Sequence, residues 1–86
     1  MNVSALGMAS SDEELVARRE MGRAIARVMA ELPDEQRTAI ILKEYHGLTF
    51  QEIADLLDCP LSTVKTRLYQ GLTVIRRQLT EAGVNR

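Results

Sequence analysis

The amino-acid sequence predicts an all-α fold, a small four-helix domain containing a helix-turn-helix, and three observations predict it. Apolar residues recur at spacings of three, four and seven along two long segments, the period of a buried helix face. Capping-box patterns, two prolines and well-placed glycines divide the chain into helix-sized pieces. No segment alternates apolar with polar residues as a half-buried strand does.

The first helix is expected from Ser11 to about Glu31. Ser11 and Glu14 have capping-box spacing, and Asp12, Glu13 and Glu14 put negative charge where the helix dipole favours it. Leu15, Gly22, Ile25, Met29 and Leu32 form one apolar stripe, with Arg18, Arg19, Arg23 and Arg27 mostly off it. Gly22 within the stripe implies either a close helix crossing or a kink. Pro33 ends this helix and opens a second, because a first turn does not need the N–H that proline lacks. That second helix runs to about Tyr45, and Gly47 stands where a left-handed stop is wanted.

Thr49 and Glu52 repeat the capping-box pattern for a short third helix, whose buried face is expected to be Ile53, Ala54, Leu56 and Leu57. Asp58-Cys59-Pro60 interrupts it, since the residue before a proline is pushed out of the helical region. Ser62 is the expected cap of a fourth helix from about Thr63 to Thr80, with Val64, Leu68, Leu72, Ile75 and Leu79 on its core side and Gly83 as the stop.

Composition limits what such a fold can be. With 86 residues, 45% of them apolar and 27% charged, there is material for one core and no multi-domain enzyme. One cysteine, Cys59, has no disulfide partner, and with a single His46 there is no ligand set for a structural metal. A reducing cytosolic setting is expected, with no cofactor and no catalytic residue, because nothing pairs Glu13, Glu14 or Glu20 with a nucleophile. Cys59 is read as a small buried hydrophobe in the turn, and His46 as a helix-end dipole partner. The longest apolar run, Ala39 to Leu42, is far short of the roughly 18 residues of a membrane span. Residues 1–10 lack the pattern of a secretory signal and are expected to be a disordered leader or cloning remnant, with Met8 a candidate start and residues 11–86 the domain.

The formal charge of -1 conceals an uneven distribution: residues 1–59 carry six basic and eleven acidic side chains, residues 60–86 five basic and one acidic. The cationic segment coincides with the fourth helix. A short helix, a four-residue turn with a proline and a long helix are the layout of a helix-turn-helix, whose second helix enters the major groove. Once its apolar positions are committed to the core, that helix shows Lys65, Thr66, Tyr69, Gln70 and Thr73 outward, with Arg67 at the flank. Lys65 suits the O6 and N7 acceptors of guanine, Gln70 a bidentate pair with adenine, and Thr66 a thymine methyl. Backbone amides near Ser62 and Thr63 suit a phosphate.

Leu32-Pro33 with Gln36-Arg37, Gly47-Leu48-Thr49, Glu52-Ile53-Ala54, Cys59-Pro60 and Ser62-Thr63-Val64-Lys65-Thr66-Arg67-Leu68 occur in an order and spacing that resembles the region-four domain of bacterial sigma factors, most closely the extracytoplasmic-function group. The resemblance covers roughly Glu31 to Leu79. It implies a winged-helix-like or region-four arrangement that recognises the promoter -35 element in double-stranded DNA as part of RNA polymerase holoenzyme in the bacterial cytoplasm. It also implies docking on the flap of the polymerase beta subunit and sequestration by an anti-sigma factor. Carried over by position, base reading falls on Lys65, Thr66, Tyr69 and Gln70. Backbone contact falls on Thr63 and Arg67, joined by Ser62 at the helix start, with Arg37 close to the phosphates.

Gln70 departs from the arginine that many members carry, and Leu72 and Thr73 stand where they add basic residues. The domain that reads the -10 element is not within these residues, so the chain is expected to be a fragment or a protein that does not initiate transcription alone. It is expected to be monomeric by itself and not inserted in a membrane. Two rival readings are a response-regulator effector domain, which binds paired half-sites as a homodimer, and a protein-interaction module that receives a partner helix in its apolar grooves.

Overall fold

The computed structural model of the protein describes residues 12–83. The leader at residues 1–10 and the Ser11 half of the first capping box lie outside the described residues. Four helices follow one another: α1 (Asp12–Glu31), α2 (Asp34–Ile40) continued by a π-helical turn (Ile41–Tyr45), α3 (Phe50–Leu57) and α4 (Leu61–Glu81). There is no strand among the described residues, so the arrangement carries no wing there.

Both prolines cap the helix they precede. Pro33 and Pro60 are extended, with φ -55 and -62 and ψ 145 and 148, and the carbonyl of each accepts from the first helical N–H groups. Arg37 N–H bonds Pro33 O at 3.0 Å, while Thr63 and Val64 N–H bond Pro60 O at 3.0 and 3.2 Å. α4 therefore starts two residues earlier than expected, and Ser62 is not its cap. It lies inside the first turn, because the fixed φ and extended ψ of Pro60 already provide the geometry that a capping residue adopts.

The second helix reaches Tyr45 as expected, but its last turn is widened. His46 N–H bonds the Ile41 carbonyl five residues back at 3.2 Å, so one extra residue is accommodated. Leu48 N–H then reaches Leu42 O at 3.1 Å, with Gly47 at φ 70 making the reversal. This six-residue closure is a Schellman-like stop lengthened by the extra residue. The widened turn divides neighbours between two cores: Ile41 packs with α1 and α4, whereas Leu42 packs with α3.

The capping box at α3 is complete. Thr49 Oγ1 accepts from Glu52 N–H at 3.0 Å, and Glu52 Oε1 accepts from Thr49 N–H at 2.8 Å. α3 ends at Asp58, which is left-handed (φ 54, ψ 53), a conformation that Asp tolerates better than most residues. Cys59 N–H closes this stop on Ala54 O at 3.1 Å.

Two apolar clusters hold the domain. One joins Met29 and Leu32 at the end of α1 to Ala39 and Ile40 of α2 and Leu68 of α4, with Ile25, Leu72 and Ile75 beside them. The other is the helix-turn-helix joint, where Ile53 and Ala54 of α3 meet Val64 of α4 and Leu57, Cys59 and Leu61 close the sides. Phe50 packs against both.

Three packing expectations fail. Leu56 is 63% exposed, because the eight-residue helix turns only Ile53 and Ala54 fully inward. The α1 stripe is buried only from Ala24 onward. Leu15 and Val16 are 41% and 49% exposed, since α1 joins the apolar core only through its C-terminal half. Gly22 makes neither a crossing nor a break: nothing lies within 4 Å of its virtual Cβ, and α1 is continuous. The close crossing is at Gly71 instead, where a Cβ would stand 2.7 Å from Ile40 Cδ1 and 3.3 Å from Gln36 Cβ.

Candidate nucleic-acid interface

The side of α4 away from the core is polar because its apolar positions are used up on the other side. Val64 and Leu68 are buried and Leu72 and Ile75 half-buried, which leaves Lys65, Thr66, Tyr69, Gln70 and Thr73 exposed. Lys65, Thr66, Tyr69 and Gln70 line one open groove of ≈ 770 Å³, together with Gln36 of α2 and Thr73, Val74 and Arg77 further along α4. The four residues assigned to base reading from sequence therefore share one surface.

Neighbouring elements orient that surface. Phe50, at the first turn of α3, lies under two cations: Lys43 Nζ is 4.8 Å and Lys65 Nζ 5.4 Å from its ring centroid. The Tyr69 ring is tilted against it with centroids 6.4 Å apart. Cation–π contacts at exposed sites are worth about 0.5–1 kcal/mol, enough to bias Lys65 and small enough to release it to a stronger acceptor. Lys43 also donates to Leu48 O at 3.3 Å. α2 adds two contacts one helical turn apart on α4. Arg67 Nη2 is 3.4 Å from Glu35 Oε2, and Gln36 Nε2 is 3.4 Å from Gln70 Oε1.

The start of α4 differs from the other helix starts. Asp12, Glu13 and Glu14 open α1, Asp34 and Glu35 open α2, and Glu52 lies in the first turn of α3, but α4 has no carboxylate in its first turn. Its dipole is left uncompensated by the protein, which suits an approaching anion. Ser62 is exposed and Thr63 half-buried there. The Thr63 amide is already bonded to Pro60 O, so its hydroxyl rather than its N–H remains for a phosphate. Thr73 departs from the expected donor set in a similar way: its hydroxyl donates to Tyr69 O at 2.8 Å, leaving its methyl outward.

Arg37, expected close to the phosphates, has its guanidinium engaged within the protein. Nη1 donates to the carbonyls of Leu32, Met29 and Ala30 at 2.9, 3.2 and 3.4 Å, and Nη2 pairs with Asp34. The cause is visible in α1, whose last turn holds no basic residue while its final carbonyls need donors. Arg37 instead borders a separate groove with Ala26, Met29, Ala30, Ile41 and Tyr45.

Sequence reasoning missed Gln36, Lys43, Phe50 and Arg77. The first three come from other elements, and only tertiary structure brings them to α4; Arg77 was legible by helical spacing from Lys65, Tyr69 and Thr73. His46 is exposed at the C-terminal end of the π-helical turn, and Cys59 is half-buried against the α3–α4 joint. Among the described residues, no helix is long and apolar enough to cross a membrane.

Comparison with known proteins places this geometry in context. Residues 22–74 match the family model described as sigma-70, region 4. The chain is 37% identical over 71 residues to the ECF RNA polymerase sigma-E factor of Escherichia coli strain K12, covering 83% of this chain and 37% of that protein. The same figures hold for the protein of that name from Salmonella typhi. Identity is 38% over 69 residues to the ECF RNA polymerase sigma factor SigW of Bacillus subtilis strain 168, covering 80% of this chain and 37% of that one. The chain thus spans little more than a third of the length of these relatives.

Proposed function

The chain belongs to the sigma-70 region 4 family, and from that premise we propose that it reads the promoter -35 element by laying α4 in the major groove of double-stranded DNA. Lys65, Thr66, Tyr69 and Gln70 are the base-reading side chains, and Ser62, Thr63 and Arg67 steady the helix on the phosphates. The observation that carries this reading is the single outward surface of α4, where all four candidate readers line one groove beside a helix start without a carboxylate.

The chemistry is recognition alone, with no bond made or broken. Base-edge donors and acceptors give sequence preference, while phosphate contacts fix the register and supply salt-dependent affinity. Few cations face the DNA, so the isolated domain binds weakly. Useful affinity comes when RNA polymerase holds it beside a second promoter contact and raises its effective concentration. The polymerase beta flap and an anti-sigma factor are the protein partners that fit this role. A response-regulator domain acting as a homodimer is the less favoured reading, because the family match is to sigma region 4.

Two substitutions test the assignment by salt-dependent binding to a -35 duplex and its single-base variants. Lys65→Ala is expected to cost about 1–3 kcal/mol and to relax preference at one base pair. Arg67→Ala is expected to weaken all sequences alike and to lower the salt slope by about 0.9. An unchanged base profile in the first, or a sequence-specific loss in the second, overturns the assignment of that residue. Tight binding by the parent chain with no salt dependence overturns the proposed mode.

A further inference from the structure

The geometry points to Gln36, a residue of α2 outside the DNA-facing helix, as the group that sets which base Gln70 selects. This inference rests on the proposed reading of α4 as the base-contacting helix. A free glutamine reads adenine through both ends of its amide, accepting from N6 and donating to N7. Gln70 is not free in this way. Its Oε1 faces α2, where Gln36 Nε2 lies 3.4 Å away, so the amide is held with its NH2 group toward the groove.

The orientation follows from burial at Gln36. This side chain crosses α4 where Gly71 leaves room for it, with the Gln36 Cβ at 3.3 Å from the position a Gly71 Cβ would take. Its Oε1 is enclosed without a hydrogen-bond partner. Turning the Gln36 amide over would enclose an NH2 group instead and leave two unmet donors in place of one unmet acceptor, and unpaired buried N–H groups are the rarer and costlier case. Gln36 therefore points its NH2 outward as the donor and Gln70 responds as the acceptor. What Gln70 then offers DNA is a donor alone. It matches base edges that present acceptors, best guanine with O6 and N7 or thymine with O4, and with adenine it keeps a single bond to N7 and forfeits the bidentate pair.

The contact is long, so its influence is on preference rather than on folding, and Gln36 is a positioning residue. Gln36→Met tests it, since methionine has similar length and carries no polar atom to strand. Selection from a randomised duplex library at low salt, using the full 86-residue chain, is run for the parent, Gln36→Met, Gln36→Glu and Gln70→Ala. The position whose preference Gln70→Ala erases is the one that Gln70 reads. There the parent is expected to favour guanine or thymine. Gln36→Met is expected to raise adenine relative to guanine by on the order of tenfold, with other positions and the melting temperature retained. Gln36→Glu, which can only accept when ionised, turns the Gln70 NH2 inward and shifts preference toward the N6 and N4 donors of adenine and cytosine.

An unchanged profile at the Gln70 position in Gln36→Met, when Gln70→Ala alters it, overturns the inference and leaves the proposed function standing. A shift spread over many positions, or a lowered melting temperature, makes Gln36 merely structural and also overturns it. Selection of no motif by the parent overturns the proposed function and this inference together.

Discussion

Substituting alanine at the two helical glycines, Gly22 and Gly71, is expected to change stability in opposite directions. Both sit inside long helices, where alanine gains roughly 0.5–1 kcal/mol over glycine from backbone entropy. At Gly22 nothing lies within 4 Å of the added methyl, so Gly22→Ala keeps that gain. At Gly71 the methyl meets Ile40 Cδ1 at 2.7 Å and Gln36 Cβ at 3.3 Å. Ile40 is buried in the main cluster and has little room to retreat. Overpacking of this kind costs about 1–3 kcal/mol, so the expected net for Gly71→Ala is a loss centred on about 1 kcal/mol and reaching about 2.5 kcal/mol, or a fall of up to roughly 20 °C in Tm for a domain of this size. Urea and thermal melts followed by helical circular dichroism read both. Ile40→Val removes the clashing Cδ1, so in that background Gly71→Ala is expected to cost less than alone, with Gln36 Cβ keeping part of the penalty. A Gly71→Ala protein as stable as the parent, or costs that simply add in the double mutant, would refute the close crossing.

Three further outcomes follow from particular contacts. Leu68 is 2% exposed at the meeting of α1, α2 and α4, so Leu68→Ala is expected to lose about 2–5 kcal/mol in a denaturant melt, and a parent-like midpoint contradicts the core described. Thr49→Ala removes the Oγ1 acceptor of the α3 capping box and leaves only the bond from the residue-49 N–H to Glu52 Oε1; it is expected to cost about 0.5–2 kcal/mol, read as earlier hydrogen exchange of the first α3 amides. Glu35→Gln removes the carboxylate beside Arg67. An exposed pair of this sort contributes at most about 1 kcal/mol to stability, so its melt is expected to stay near the parent's while duplex affinity rises several-fold at low salt; unchanged affinity shows that Glu35 does not restrain Arg67.

Local rules were enough where local chemistry decides the outcome. Thr49 and Glu52 announce a capping box that forms completely, Gly47 takes the left-handed turn, and Val64, Leu68 and Leu79 bury the face that their spacing predicts. Rules based on spacing failed where another element had to supply or withhold a neighbour. The periodic stripe of α1 says which side is apolar but not how far a partner extends along it, so Leu15 was expected to be buried and is not. Ser62 has the right chemistry for a cap, yet the backbone geometry of Pro60 takes the position first. Arg37 is basic and close in sequence to the expected DNA-binding unit, but the unmet carbonyls ending α1 hold it nearer home. The shared surface of Lys65, Thr66, Tyr69 and Gln70, the proposed readers, was legible because one helix carries all four; Phe50, Lys43 and Gln36 were not, because they reach that helix only through the fold.

The short second helix is consequently the piece on which the α4 surface depends. Within six residues it uses Glu35 and Gln36 against α4 and Arg37 against the end of α1, and Ile40 fills the crossing beneath Gly71. The first three of these are consecutive in sequence, so a rotation of α2 that improved one contact would pull at the others. A helix that held α4 through apolar packing alone would fix its position and leave its polar side chains to sample rotamers freely. α2 fixes position through Ile40 and restrains side chains through Glu35 and Gln36. Part of the ordering entropy of Arg67 and Gln70, about 0.5–1.5 kcal/mol for each such side chain immobilised at an interface, is thereby spent on folding before DNA arrives. Under the proposed reading of α4 the same restraint would limit which bases Gln70 can satisfy, giving preorganisation and base selectivity one structural origin.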